Sequence, residues 1–242
     1  MTVFLNKSLL ITRPLRDGIV FSESLKFHRP INTICRPLFE IEILAVNKDV
    51  SKTRGIIVTS SNAVRSLKQS NVQFKGPVFC VGRSTASIAQ EAGYRAINSN
   101  GDIYELLELI KASLSSGFGK LTYFRGEEIT GDLARQLRDI SFNVDEVICY
   151  RKVPSNLSSE IINCIENNLI IASTFFSKQT ANLFSEQVKY LPNGFVAFCI
   201  SEEVSRTISA LYPEAHIALR IASKPSVREM CKLIVAAPEF AV

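Results

Sequence analysis

Apolar and polar positions follow two alternating periods along the chain. Short runs rich in Val, Ile, Leu and Phe, four to seven residues long, recur at 9–12, 42–46, 55–60, 77–82, 94–97, 120–125, 144–150, 169–173, 195–200 and 216–219. Between most of them lie stretches with apolar residues spaced three and four apart, which is the helical period. Strands that alternate with helices of this size predict parallel sheets wound through βα units, an α/β class, and ten strands predict two sheets. Local chemistry marks the helix ends. Asp102 with Glu105, and Ser226 with Glu229, have the spacing of capping boxes ahead of apolar stripes. The segment 84–92 places Ile88, Ala89 and Ala92 on one face and runs into Gly93, where a left-handed cap belongs.

The pattern also repeats. The junction VTSSNAV (58–64) precedes CVGRSTASIAQEAGYRAI (80–97), and TFFSKQTA (174–181) precedes CISEEVSRTISALYPEAHIA (199–218). Ser60 and Ser177 are 117 residues apart, Gly82 and Ser201 are 119 apart, and Arg13 of LLITRP and Arg125 of TYFRG are 112 apart. The strands that follow those arginines end in ICR (34–36) and ICY (148–150). Two similar α/β domains account for this echo. Because one echo unit opens the chain before Arg36-Pro37, the expected arrangement is an inserted domain over 39–149. Residues 1–34 then fold with 155–242, and the crossings at 35–38 and 150–154 form a double hinge.

Composition narrows the chemistry. The 242 residues are 46% hydrophobic and 21% charged, which excludes a disordered or fibrous chain. A net charge of +5 favours anionic partners, yet no basic stripe with interleaved aromatics points to nucleic acid. Small polyanions fit such a balance. The apolar run between Lys7 and Thr12 is too short for a signal-peptide core, and nothing approaches a membrane span, so the expected setting is cytoplasmic and without a membrane partner. The six cysteines, Cys35, Cys80, Cys149, Cys164, Cys199 and Cys231, sit mostly in apolar runs and form no C-x-x-C pair, as buried free thiols in a reducing compartment would. His28 and His216 have no metal-ligand spacing, and no metal or cofactor is expected. Phosphate loops, nucleophile elbows and H-E-x-x-H motifs are all absent, so a general acid has to come from Tyr, a carboxyl group or water.

Ligands of parallel sheets bind outside the carboxyl ends of the strands, where helix N-termini present free N–H groups. Ser60, Ser61, Asn62, Thr85 and Ser177 fall at such junctions, and Arg13 and Arg125 fall at strand ends, where a guanidinium fork suits a carboxylate. Each residue also has a plain structural use: the hydroxyls and amide as helix caps, the arginines as ion pairs. The spacing alone does not choose between these uses.

Taken together, LLITRP, IIVTSSNAV, VFCVGRSTASIAQEAG, YFRGEEITGDLARQLRDISFNVDEVICYR, FFSKQTA and CISEEVSRTISAL resemble the uroporphyrinogen-III synthase family in order and over nearly the whole chain. The resemblance implies two α/β domains joined by a two-stranded linker, with the active site in the cleft between them. It implies a monomer, no cofactor, and a linear tetrapyrrole substrate, hydroxymethylbilane, with an acetate and a propionate on each pyrrole. The implied reaction loses the terminal hydroxyl as water, passes through an azafulvene and a spiro intermediate, and closes the macrocycle with the last ring inverted. By the same resemblance Tyr150 matches the family's linker tyrosine, a proton donor or water-positioning group. Thr85, Ser60 and Ser177 match its hydroxyl positions, and Gly82 and Gly126 join Ser61, Asn62, Arg13 and Arg125 in the implied substrate-binding set. The second half departs at Phe176, Ser201 and Val204, where Thr, Gly and Thr are usual. The departures at Ser201 and Val204 leave open a non-catalytic two-lobed module that binds an acidic small molecule.

Overall fold

The computed structural model describes residues 7–99, 101–115, 117, 119–129 and 131–240. The chain divides into two compact units, Met1–Glu40 with Val153–Val242, and Ile41–Lys152. The first unit opens with β1 (Ser8–Ile11), α1 (Leu15–His28) and β2 (Thr33–Cys35), and β3 (Phe39–Ile43) leads into the second. There follow β4 (Thr53–Val58), α2 (Ser61–Gln69), β5 (Pro77–Cys80), α3 (Gly82–Glu91), β6 (Arg95–Asn98), α4 (Ile103–Ser113), β7 (Lys120–Gly126), α5 (Leu133–Asp139) and β8 (Asn143–Pro154). The first unit resumes with α6 (Ser159–Glu166), β9 (Ile170–Phe175), α7 (Lys178–Gln187), β10 (Val196–Cys199), α8 (Glu202–Leu211), β11 (Ala218–Ile221) and α9 (Val227–Val235).

The first unit holds a five-stranded sheet in the order β11-β10-β9-β1-β2, parallel throughout. The second holds a six-stranded sheet in the order β3-β8-β7-β4-β5-β6, parallel from β8 to β6. Setting β9, β10, β11, β1 and β2 against β4, β5, β6, β7 and β8 makes the two orders identical. The sequence echo is therefore a repeat whose chain order is rotated: the strands that close the second unit's repeat open the first unit's. The offsets of the arginines and the serines differ because 47 residues separate Arg13 from Ser60 and 52 separate Arg125 from Ser177.

Both faces of each sheet are covered, so successive strand residues enter different cores. In the first unit Leu10, Ala197 and Cys199 pack with helices α6, α7 and α8, while Leu9, Ile11, Val196 and Phe198 pack with α1 and α9. In the second, Ile56, Val58, Val78 and Phe124 face α2 and α3, and Ile57, Phe79, Leu121 and Tyr123 face α4 and α5. A strand buried on both sides reads as a continuous apolar run, which is what made these segments legible.

The helix signals act as the spacing predicts. The Asp102 carboxylate accepts from Tyr104 N at 2.8 Å and Glu105 N at 3.1 Å, Ser226 accepts from Glu229 N at 3.2 Å, and Gly93 takes φ +87°. One strand is displaced: the expected 42–46 is β3 at Phe39–Ile43. There the alternation FEIEI, with Glu40 and Glu42 exposed, sets the period, while Leu44 and Val46 are tied to α2 through Ser66 Oγ to Leu44 O (3.0 Å) and Val46 N to Ser70 Oγ (2.9 Å). The short β2 was signalled only by its end, ICR.

Candidate active site

In each sheet the chain progresses in one direction from a central strand and in the other direction from that strand's neighbour. The reversal lies between β4 and β7 in the second unit and between β1 and β9 in the first. Strand ends at such a reversal diverge and leave a crevice. In the second unit it is a cavity of about 510 Å³, lined by Thr59 after β4, Val81 after β5, Arg125 and Gly126 at the end of β7, and Tyr150 on β8. Of the expected site residues, then, Arg125, Gly126 and Tyr150 come together on one wall.

A register break sets that wall. Arg125 pairs with Ile148 but Gly126 pairs with Tyr150, so β8 carries one extra residue, Cys149, at this point. Side chains alternate along a strand, and a bulge re-aims the next one. Tyr150 is thereby set opposite Gly126, and its ring lies over the glycine. A Cβ at 126 would stand 2.8 Å from Cε2 and Cζ of Tyr150 and 3.0 Å from its hydroxyl oxygen, so only glycine accommodates this ring. The Ser60 side chain and the Gly126 backbone lie beside the Tyr150 hydroxyl, and a Cβ at 126 would come within 3.0 Å of its oxygen. Burial raises its pKa above the ordinary tyrosine value, and the neighbouring Ser60 side chain and Gly126 backbone oppose the rise. The group is a neutral, oriented phenol at physiological pH.

A second phenol lies close by. Tyr123 is 3% exposed and its hydroxyl meets Thr59 Oγ1 at 3.0 Å; burial raises its pKa as well, against the pull of that hydrogen bond. Neither Thr59 nor Tyr123 is in the sequence-derived set. The available signal was the tyrosine in a buried strand, because a buried phenol requires a partner.

The cations of the wall already have carboxylate partners: Arg125 Nε to Glu146 at 2.6 Å, Arg151 Nε to Glu42 at 2.7 Å and Lys152 Nζ to Glu128 at 3.1 Å. Asp102, also on the wall, is engaged in capping α4. Among the described residues no cluster of three or more His, Cys, Asp or Glu is placed to hold a metal ion.

A family model described as uroporphyrinogen-III synthase HemD matches residues 26–231. The chain belongs to the uroporphyrinogen-III synthase family. Among solved structures, it is similar to the uroporphyrinogen-III synthetase of Helicobacter pylori, with a TM-score of 0.64, 19% identity, and coverage of 95% of this chain and 99% of that one. A mutant uroporphyrinogen III synthase from the extremely thermophilic bacterium Thermus thermophilus gives a TM-score of 0.52 and 15% identity over 93% of this chain and 96% of that one. At such identities these likenesses concern the fold. No curated protein matches the chain.

The other uroporphyrinogen-III synthase positions serve their helices. Ser60 caps α2 through Asn62 N (3.2 Å), Ser61 is that helix's first residue, and Asn62 Oδ1 accepts from Arg65 Nη1 at 2.6 Å. Gly82 opens α3 at φ +73° with no side-chain cap, whereas Thr85, 7% exposed, sits in the buried face of that helix and does not line the cavity. In the first unit the strand reversal carries Arg13 and Ser177. Ser177 caps α7 through Thr180 N at 3.1 Å. The Arg13 guanidinium lies 4.3 Å from the centroid of Phe176 and reaches Asp17 at 3.3 Å, and Phe176 meets Phe21 edge-on at 5.5 Å.

The departures from the family pattern thus have structural uses. Phe176 is the platform under Arg13, Ser201 caps α8 through Val204 N (3.4 Å), and Val204, 3% exposed, belongs to a core.

Proposed function

We propose that the protein catalyses the family reaction, cyclising hydroxymethylbilane to uroporphyrinogen III with loss of water, and that Tyr150 assists the departure of the hydroxyl group. The observation that carries this reading is the Tyr150 phenol, kept protonated by burial and seated over Gly126 by the register break, on the wall of a cavity at the strand reversal. Expulsion of hydroxide is slow, whereas expulsion of water assisted by a positioned acid is not. The pyrrole nitrogen lone pair pushes, the phenol donates its proton to the departing oxygen or holds the water that does, and an azafulvene results. The substituted carbon of the last ring attacks, the spiro intermediate rearranges with that ring inverted, and the proton lost on closure restores the phenol. Folding the chain into this geometry is the larger part of the task, because two distant carbons of a flexible molecule have to meet.

The substrate's carboxylates fit Arg151 and Lys152, the cations of the cavity wall beside Tyr150. The helix N-terminus at Gly82, which no side chain caps, supports a further anion contact. The non-catalytic module that the departures at Ser201 and Val204 left open is not favoured by the family match over residues 26–231.

The test is Tyr150→Phe in a coupled assay with enzymatically generated substrate, scoring isomers III and I. The variant keeps the ring over Gly126 and loses the oxygen, so turnover to isomer III should fall about 10²-fold with little change in stability or substrate affinity. A folded variant that makes isomer III at the parent rate overturns the assignment of Tyr150.

A further inference from the structure

We propose that Glu146 is a positioning residue that acts through Arg125, and that this pair braces the backbone on which Tyr150 rests. Glu146 lies on β8 and does not line the cavity. Its Oε2 accepts from Arg125 Nε at 2.6 Å, and its Oε1 accepts from Arg138 Nη2 at 2.9 Å. Arg138 is itself anchored to β8, since its Nε and Nη2 donate to Val144 O at 3.1 and 2.8 Å. The carboxylate is therefore held from one side and holds Arg125 on the other. Side-chain exposures of 17% for Arg125 and 22% for Glu146 keep the pair largely out of water, where such contacts are strongest.

Arg125 passes this constraint on. Its Nη1 donates to the carbonyls of Gly126 at 2.8 Å and Glu127 at 3.2 Å. These are the two residues that seat Tyr150: Glu127 N donates to Tyr150 O at 3.0 Å, and the Tyr150 ring lies over Gly126, within 2.8 Å of where a Cβ would stand. One guanidinium thus ties two consecutive peptide units directly beside the bulge, where the ladder changes register. With Nε and Nη1 both committed inside the unit, Arg125 is a brace for the phenol's seat. Lysine cannot replace it, because a single ammonium lacks the rigid fork that reaches a carboxylate and two carbonyls together.

The inference rests on the proposed role of Tyr150, and the experiment separates the two. Glu146→Gln, Tyr150→Phe and their double variant are compared for kcat and KM with hydroxymethylbilane. Glutamine keeps the shape and one acceptor but loses the charge. Because a misplacement of about 1 Å at a reacting group costs on the order of 10²-fold, partial loosening should lower kcat about 10-fold and leave KM within about 2-fold. In the Tyr150→Phe background the same change should cost less than about 2-fold, since no hydroxyl remains to be positioned. A role in general stability would lower both backgrounds alike, and that result overturns the proposal, as does parent-like kcat or an effect confined to KM. If the glutamine variant does not fold, Arg125→Lys taken through the same cycle decides between these outcomes. It should reproduce the kcat pattern, whereas a rise in KM alone would make Arg125 a direct substrate ligand and overturn the brace. Parent-like turnover by Tyr150→Phe itself would instead refute the role of Tyr150, and the brace with it.

Discussion

Replacing Gly126 with alanine is the most direct perturbation of the seat on which Tyr150 lies. Gly126 is not among the positive-φ glycines, so alanine meets no backbone strain and the whole effect is steric. The new methyl would stand 2.8 Å from two ring carbons of Tyr150, where contact between carbons needs about 3.5 Å, so the ring has to retreat by about 0.7 Å. Retreat carries the hydroxyl away from its place beside Ser60 and over residue 126. Overpacking of this kind costs about 1–3 kcal/mol, from which the lower entropy of the unfolded alanine chain returns about 0.4–1. Net destabilisation of at most about 2.6 kcal/mol leaves a folded protein in which the phenol is displaced. The expected loss in kcat is about 10- to 10²-fold, with KM nearly unchanged. The assay is steady-state production of isomer III alongside a urea melt. A rise in KM at parent kcat would mean that Gly126 serves close approach of substrate to the backbone and not the seating of Tyr150. Parent values for both, with Tyr150 unmoved in a crystal structure of the variant, would refute the steric reasoning altogether.

Three further outcomes follow from the geometry. Cys80, Cys149 and Cys199 are pushed by burial from an ordinary value of 9.0 up to about 12, so unfolded thiols ionise first and stability, complete below pH 9, falls as pH rises toward 12. Between about pH 8 and pH 10, in reductant, Cys199→Val should lose about 1.4 kcal/mol less than the parent in urea melts; equal losses would contradict the thiol's role. Glu128→Gln should release Lys152 from its 3.1 Å partner and tighten binding of an octacarboxylate porphyrin about 2- to 5-fold at low salt, a gain that disappears in a Lys152→Gln background. If fluorescence titration shows the same gain in both backgrounds, the carboxylate acts by general repulsion and does not compete for that lysine. Phe176→Thr restores the usual family residue but removes the ring 4.3 Å under Arg13 and its edge contact with Phe21, so it should lower stability by about 1–3 kcal/mol; an unchanged thermal midpoint would show that the stack contributes nothing.

Fold class, helix ends and the repeat were determined by the sequence alone, because each rests on local physics. Strands such as VFC and AFC, buried on both faces, have to be continuously apolar, and Asp102, Ser226 and Gly93 act on backbone groups within three residues of themselves. The repeat was visible for the same reason, since strand-to-helix junctions such as Ser60 and Ser177 cap their helices in both units. Tertiary structure decided the rest. Which strands are neighbours, and hence that Arg125 and Gly126 adjoin Tyr150 while Thr85 turns into a core, depends on pairings between distant segments that no local pattern encodes. The bulge at Cys149 is the clearest case: a one-residue slip reverses every side chain beyond it, and nothing in VICYR announces it. Glu146 and Thr59 were invisible for the same reason, and Tyr123 showed only as a tyrosine in a buried strand. Each matters through a partner that is remote in sequence, and a hydrogen bond made only after the sheet has closed leaves no trace in the residues on either side of it.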